Sequence, residues 1–307
     1  MSPFGFLICA LLLLPLRPTT ASAEANDLVQ PPEKGIAARY PGDRGIGADP
    51  DVILTEDFEA DPVAVGWMEP GGWINFRLGE GMEIVGTKPA AGTRCLQFNL
   101  ETGKKSSGTL MHLFDDQEEV FFRYYRRFAD DWVWPDGYGP HDAFVGGGEY
   151  GGRPTDQDFE ILIDFWRNGG TVARLASSRP EAFKEVQGAW TASALERDGS
   201  PSVGGRPVPW NRSEPDLIQP GAWHCVEMQI VLSSAGGADG VLRVWVNGNL
   251  VTDYAEVPML AEGKEGAGIN KVFIGPYFHP GSPRDQPHWV DQIVVAKSYI
   301  GPVTTNP

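Results

Sequence analysis

The segment Val120–Phe128, VFFRYYRRF, carries three side chains able to grip an acidic ligand. In an extended strand Phe122, Tyr124 and Phe128 suit a buried face, which leaves Arg123, Tyr125 and Arg127 together on the other. Neighbours on that face stand about 6–7 Å apart. Two guanidiniums around a phenol suit a carboxylated sugar. Arg126 breaks the alternation and marks either a bulge or a paired charge. Proton transfer needs a group that titrates near neutrality, or a phenol. His141 stands in a Gly-rich stretch read as a loop, and Tyr277 and His279 in GPYFHPG alternate onto one face like an acid/base pair. Plainer roles exist for each: a solvated strand with cross-strand ion pairs, a loop histidine, packing or turn residues.

A second chemistry is suggested by DFEILIDFW. Phe159, Ile161, Ile163 and Phe165 form an apolar face, opposite Glu160, Leu162, Asp164 and Trp166. Glu160 and Asp164 would lie about 13 Å apart along a strand. Glycoside hydrolysis wants carboxyls about 5–5.5 Å apart for retention and about 6.5–9.5 Å for inversion. That spacing counts against a hydrolase, although Glu160, Asp164 and Trp166 remain able to hydrogen-bond and stack a sugar. No zinc-spaced His/Cys cluster, phosphate-cradling Gly loop or G-x-S-x-G elbow is present.

The elements that must hold these residues read as strands. In 223–248, WHCVEMQIVLSSAGGADGVLRVWVNG, Val226, Met228, Ile230 and Leu232 alternate with Cys225, Glu227 and Gln229. Leu242, Val244 and Val246 oppose Arg243 and Trp245, and Asn247-Gly248 supplies a hairpin turn. Similar runs recur from Val52 to Ala296, punctuated by 38 Gly and 26 Pro, without a sustained helical period. The expectation is an all-β jelly-roll sandwich of two antiparallel sheets over residues 51–307, with 180–220 as a long loop or lid.

The first 23 residues read as a secretory signal, with the apolar run FLICALLLLPL and Ala21-Ser22-Ala23 as cleavage site. Residues 24–50, polar and rich in Pro and Gly, read as a linker or poorly ordered arm. The expected location is outside the cell or in the periplasm. A net charge of −16 argues against nucleic acid and anionic membranes as partners, and no later segment suits membrane insertion. Past the signal, Cys95 and Cys225 remain, each on the polar face of its strand. A disulfide between them is expected, with two unpaired thiols as the alternative.

Five stretches carry a resemblance. DGVLRVWVNG behind a W-x-x-V-E strand, the FIGPYF segment and the closing WVDQIVVAKSYIGP are similar to the concanavalin A-like lectin/glucanase superfamily. FFRYYRRFADDWVW…GPHDAFVGGGEYGG with FWRNGG resembles, within it, the jelly-roll polysaccharide lyases acting on alginate and glucuronan, and related secreted bacterial proteins. The likeness spans roughly Phe121–Gly301 plus Asp57–Glu59. One departure is plain: Pro140-His141-Asp142 stands where some of those lyases carry a loop lysine.

The resemblance implies an exported protein that acts on a polysaccharide or oligosaccharide. As a lyase it would cleave a uronate polymer by β-elimination, with Arg123, Tyr125, His141, Tyr277 and His279 in catalysis and Arg127, Glu160, Asp164, Trp166 and Trp245 in binding. The alternative is a non-catalytic, lectin-like domain using Trp166 and Trp245 as stacking platforms. A glycoside hydrolase comes third. No cofactor is required. Asp57, Glu59 and Asp291 could meet where terminal strands adjoin and hold a structural Ca²⁺, or simply cap turns.

Overall fold

The computed structural model describes residues 34–65, 71–74, 77–134, 141–147, 159–165, 171–176, 202–203, 206–207, 217–257, 259–260 and 262–304. Residues 1–23, read above as a secretory signal, Trp166 and most of the 180–220 stretch lie outside them. Among the described residues no helix is long and apolar enough to cross a membrane.

Three 3-10 turns, Ile36–Arg39, Pro41–Asp43 and Ile46–Ala48, lead into β1 (Val52–Glu56), β2 (Ala64–Val65), β3 (Trp73–Ile74) and β4 (Met82–Val85). Next come β5 (Cys95–Leu100), β6 (Leu110–Gln117), β7 (Glu119–Phe128), β8 (His141–Gly147), β9 (Phe159–Phe165) and β10 (Thr171–Ala176). A short pair, β11 (Ser202–Val203) and β12 (Arg206–Pro207), precedes β13 (Trp223–Val231) and β14 (Gly240–Val246). The chain closes with β15 (Asn249–Val257), β16 (Ile269–Tyr277) and β17 (Gln286–Ala296).

One sheet runs β15-β14-β13-β7-β17-β5-β4, with β1 also on β17, and the second runs β10-β9-β8-β16-β6-β3-β2. Apart from the parallel β2–β3 pair, neighbours in both sheets are antiparallel. This is the expected jelly-roll sandwich. Its interior holds the apolar sides of the sequence alternation: Val226, Met228 and Ile230 of β13, Leu242, Val244 and Val246 of β14, and Phe122, Tyr124 and Phe128 of β7. Ile161, Ile163, Val145 and Val272 close it from the second sheet. Asn247 and Gly248 both take positive φ, as a two-residue hairpin between twisted strands requires. Besides the two-residue strands β2, β3, β11 and β12, two strands escaped the sequence reading. β8 was read as a loop because its glycines mask the alternation, and β15 carries too many polar residues.

The arm expected over 24–50 is, from residue 34 onward, packed structure. Ile36, Ala37 and Ile46 are buried with Phe121, Trp245, Tyr299 and Ile300 in a second apolar cluster outside the first sheet. Ile36 and Ala37 donate N–H bonds to the carbonyls of Tyr299 and Ile300 at 2.9 Å. Three spaced apolar residues, these backbone bonds and Asp43 bind a segment whose composition is polar.

Glu227 fastens the C-terminal side of this clasp by accepting the N–H groups of Ile300 at 2.7 Å and Gly301 at 2.9 Å. Burial pushes its carboxyl from an ordinary 4.5 up to about 7. A carboxyl whose folded pKa is raised binds its proton more tightly in the folded state. Its contribution is therefore full below 4.5 and is lost as pH rises through about 7. Urea midpoints of wild type and Glu227→Gln are expected to diverge over that window, with wild type losing ground as pH rises. Parallel pH profiles would contradict this.

Candidate active site

The face of the second sheet turned away from the core carries three rows. In the first, Glu160 of β9 faces Gly146 of β8, which faces Lys271 of β16. In the second, Leu162, Phe144, Phe273 and Met111 follow one another across β9, β8, β16 and β6. In the third, Asp164 is paired with His141 and His141 with Tyr277. The middle row is apolar, with Phe144 and Phe273 edge-to-face at 4.9 Å. Gly146 has no side chain, so Glu160 and Lys271 face one another across it. Burial lowers the Lys271 ammonium to about 8, against the opposing pull of Glu160.

At the third row the chemistry concentrates. The His141 Nε2 lies 2.7 Å from the Nε2 of His279. The His141 and Tyr277 rings are near parallel at 6.4 Å, and Tyr277 meets His279 edge-on at 5.1 Å. Tyr277 is 36% exposed. Lys105, which sequence reasoning missed, places its Nζ 5.8 Å from the centre of the Tyr277 ring. Its carbonyl accepts the N–H of Phe278 at 2.8 Å, fixing this loop beside the end of β16. A lysine in the unpatterned run GKKSSG carries no sequence signal for that placement.

A β-bulge aims His141. Between His141 and Ala143 the register against β9 slips by one residue, so that Asp142 points inward. There its carboxylate pairs with the Arg126 guanidinium and accepts the Tyr124 hydroxyl at 2.7 Å, with all three side chains closed to solvent. Arg126 Nη1 also donates to His288 Nδ1 at 3.0 Å. Burial, then the Arg126 charge, hold His288 well below its usual range and therefore neutral. Arg126 thus keeps the β7 alternation and is the paired charge, not a bulge.

The arginine strand expected to grip substrate does not reach this face. Arg123 and Tyr125 lie on the outer side of the other sheet, beneath the terminal clasp. Arg123 pairs with Asp43 and donates to the carbonyls of Gly301 at 3.0 Å and Gln292 at 3.3 Å. The Tyr125 hydroxyl accepts the Val303 N–H at 2.8 Å. Arg127 reaches Asp130 at 2.6 Å. Trp245 is buried between Phe121 and Tyr299 and offers no stacking platform. Period-2 patterning told which residues share a face but not which sheet β7 would join. Of the proposed site residues, His141, Tyr277 and His279 converge, Glu160 shares their face, Asp164 sits beside His141 in register, and Trp166 is not described.

A family model described as polysaccharide lyase matches residues 87–294. The chain belongs to the polysaccharide lyase family. Among solved structures, a mutant of alginate lyase Aly36B in complex with alginate trisaccharide is similar at 15% identity, with a TM-score of 0.53, over 80% of this chain and 98% of that one. Alginate lyase vAL-1 from Chlorella virus is similar at 14% identity and TM-score 0.50, over 71% of this chain and 91% of the other. The cellulose induced protein Cip1 gives 14% and 0.50, over 81% and 99%. At such identities the likeness is one of fold. No curated protein sequence matches.

The family match takes in His141, Tyr277 and His279, whereas the N-terminal clasp lies before it. Cys95 and Cys225, both within the match, are free and buried, which corrects the expected bridge. They do share a face, and Cys225, Tyr125 and Asp291 follow one another across β13, β7 and β17 toward Cys95. Two strands therefore separate them, or about 14 Å at ~4.8 Å per strand, twice the ~7 Å a disulfide tolerates. Burial pushes both thiols up to about 12.

β1 and β17 adjoin, as the calcium expectation required, and the three carboxylates are engaged by backbone N–H groups. Glu59 accepts the N–H groups of Thr93 and Arg94, Asp291 those of Ala90, Ala91 and Gln292, and Asp57 that of Glu59. These lone pairs tie down the 90–94 loop. Among the described residues no group of three or more His, Cys, Asp or Glu is arranged for a metal ion.

Two measurements follow. Arg123→Ala strands Asp43 in a buried site and is expected to cost about 3–5 kcal/mol in denaturant unfolding. An unchanged midpoint would mean that the clasp contributes nothing. In protein unfolded without reductant, alkylation and peptide mapping are expected to find both Cys95 and Cys225 modified. Protection of either one would restore the disulfide.

Proposed function

We propose that this protein cleaves a uronate-containing polysaccharide by β-elimination at the His141–Tyr277–His279 cluster. The observation that carries the proposal is the convergence of these three proton-transfer groups at one end of the second sheet's outer face, inside the segment matched by the lyase family.

Elimination breaks the C5–H bond, forms a C4–C5 double bond and expels the glycosidic oxygen from C4. Three services are needed: a cation at the carboxylate, a base for the C5 proton and an acid for the leaving oxygen. At 2.7 Å the two imidazoles share one hydrogen bond, so one Nε2 donates while the other offers its lone pair. When substrate separates the rings, the lone pair freed on the accepting Nε2 takes the C5 proton. The Tyr277 phenol, beside both rings and partly exposed, serves as acid. Lys105 supplies the positive charge that Arg123 and Arg127 cannot bring, while Glu160 lies farther along the same face, with Lys271 buried across Gly146 from it. The apolar leader with its Ala21-Ser22-Ala23 site supports export, which would bring such an enzyme to extracellular polymers.

The test is incubation with a panel of uronate and neutral polysaccharides, following ultraviolet absorbance of the unsaturated product and reducing ends in parallel. Both signals are expected to rise together on a uronate polymer only. Tyr277→Phe and His141→Ala are each expected to lower kcat by about 10²–10⁴ without changing the denaturation midpoint. Reducing ends without absorbance would mean hydrolysis. Binding without either signal would favour the lectin-like reading.

A further inference from the structure

We infer that His141 and His279 form a binding site for a divalent transition metal of the Zn²⁺, Ni²⁺ or Cu²⁺ class. Neutral imidazole nitrogen is the commonest protein ligand for these ions. Here two Nε2 atoms already point at one another, 2.7 Å apart. Tetrahedral coordination with Zn–N bonds of ~2.0–2.1 Å sets the two nitrogens about 3.3 Å apart. The rings need open by only about 0.6 Å to admit the ion.

The backbone is fixed on both sides while the rings remain reachable. His141 is anchored by the bulge whose Asp142 is locked to Arg126, and by its register against Tyr277. His279 follows the fully buried Phe278, whose N–H and C=O are bonded to Lys105 and Gly281. His279 itself is exposed and His141 half-buried. Asp164 stands opposite His141 in the β9 register. When the ion enters, the proton between the rings moves to the Nδ1 of its own imidazole, and the pair stays neutral. Water completes the coordination.

Competing sites are few. Of the five histidines, His224 and His288 are buried and His112 packs edge-on against Trp73. Cys95 and Cys225 are buried. Nitrogen donors also set the selectivity, favouring Ni²⁺, Cu²⁺ and Zn²⁺ over Mg²⁺ and Ca²⁺. A lyase using the same pair as base would be blocked by the bound ion, although binding itself does not depend on that activity.

The experiment is calorimetric titration of the full chain, without a histidine tag, by Zn²⁺, alongside Co²⁺ binding followed by its visible absorption. One ion per chain is expected, with affinity at least tenfold lower in His141→Ala and in His279→Ala, and no heat from Ca²⁺. Circular dichroism and denaturation midpoints should match wild type in both variants, since neither ring is in the core. Binding unchanged in both variants, or no Zn²⁺ binding at millimolar concentration, would overturn the inference. Because the readout uses no substrate, an inactive protein that still binds Zn²⁺ would sink the lyase reading alone. An active lyase that binds none would sink only the metal site.

Discussion

Arg126 and Asp142 meet between the two sheets, both without solvent exposure, and the rest of the arrangement depends on that contact. An ion buried in an apolar interior costs several kcal/mol unless its partner and hydrogen bonds are fully supplied. Here Tyr124 and His288 supply them from the first sheet, and the β8 bulge delivers the carboxylate from the second. One pair therefore sets the distance between the sheets and the turn of β8. That turn sends Asp142 inward and leaves His141 facing His279 and Tyr277.

The alternation of β7 divides the molecule in the same way. Its even-numbered side chains enter the core, and its odd-numbered ones carry the terminal clasp. Arg123, which would otherwise be a charge in an outer apolar cluster, is neutralised by Asp43 from the N-terminal turns and by carbonyls from β17 and the C-terminal tail. The first sheet is thus covered on both faces, while the second keeps an outer face with polar rows at each end and an aromatic row between.

Much of the fold was legible in the sequence because period-2 burial leaves a direct record: Val226, Met228, Ile230, Leu242, Val244 and Val246 all fell where the alternation put them. Asn247-Gly248 likewise encodes its turn in its own backbone preference. His141, Tyr277 and His279 were legible as chemistry. Their convergence depends on β8 pairing with β16, a contact between strands more than a hundred residues apart that no local pattern records. The role of Arg123 was lost for the same reason, since its partner Asp43 sits in a segment whose composition reads as a linker. Lys105 left no trace, because a lysine in a polar loop looks the same wherever that loop is tied.

The central claim is that substrate meets the His141–Tyr277–His279 end of the second sheet and not the strand bearing Arg123. Side-chain NMR of selectively labelled histidine and tryptophan, titrated with a short uronate oligosaccharide, tests it without requiring turnover. The account predicts that the His141 and His279 resonances shift or broaden while those of His288 and Trp245 stay in place. Perturbation of Trp245 with His141 and His279 unmoved would place recognition beside the terminal clasp and contradict it.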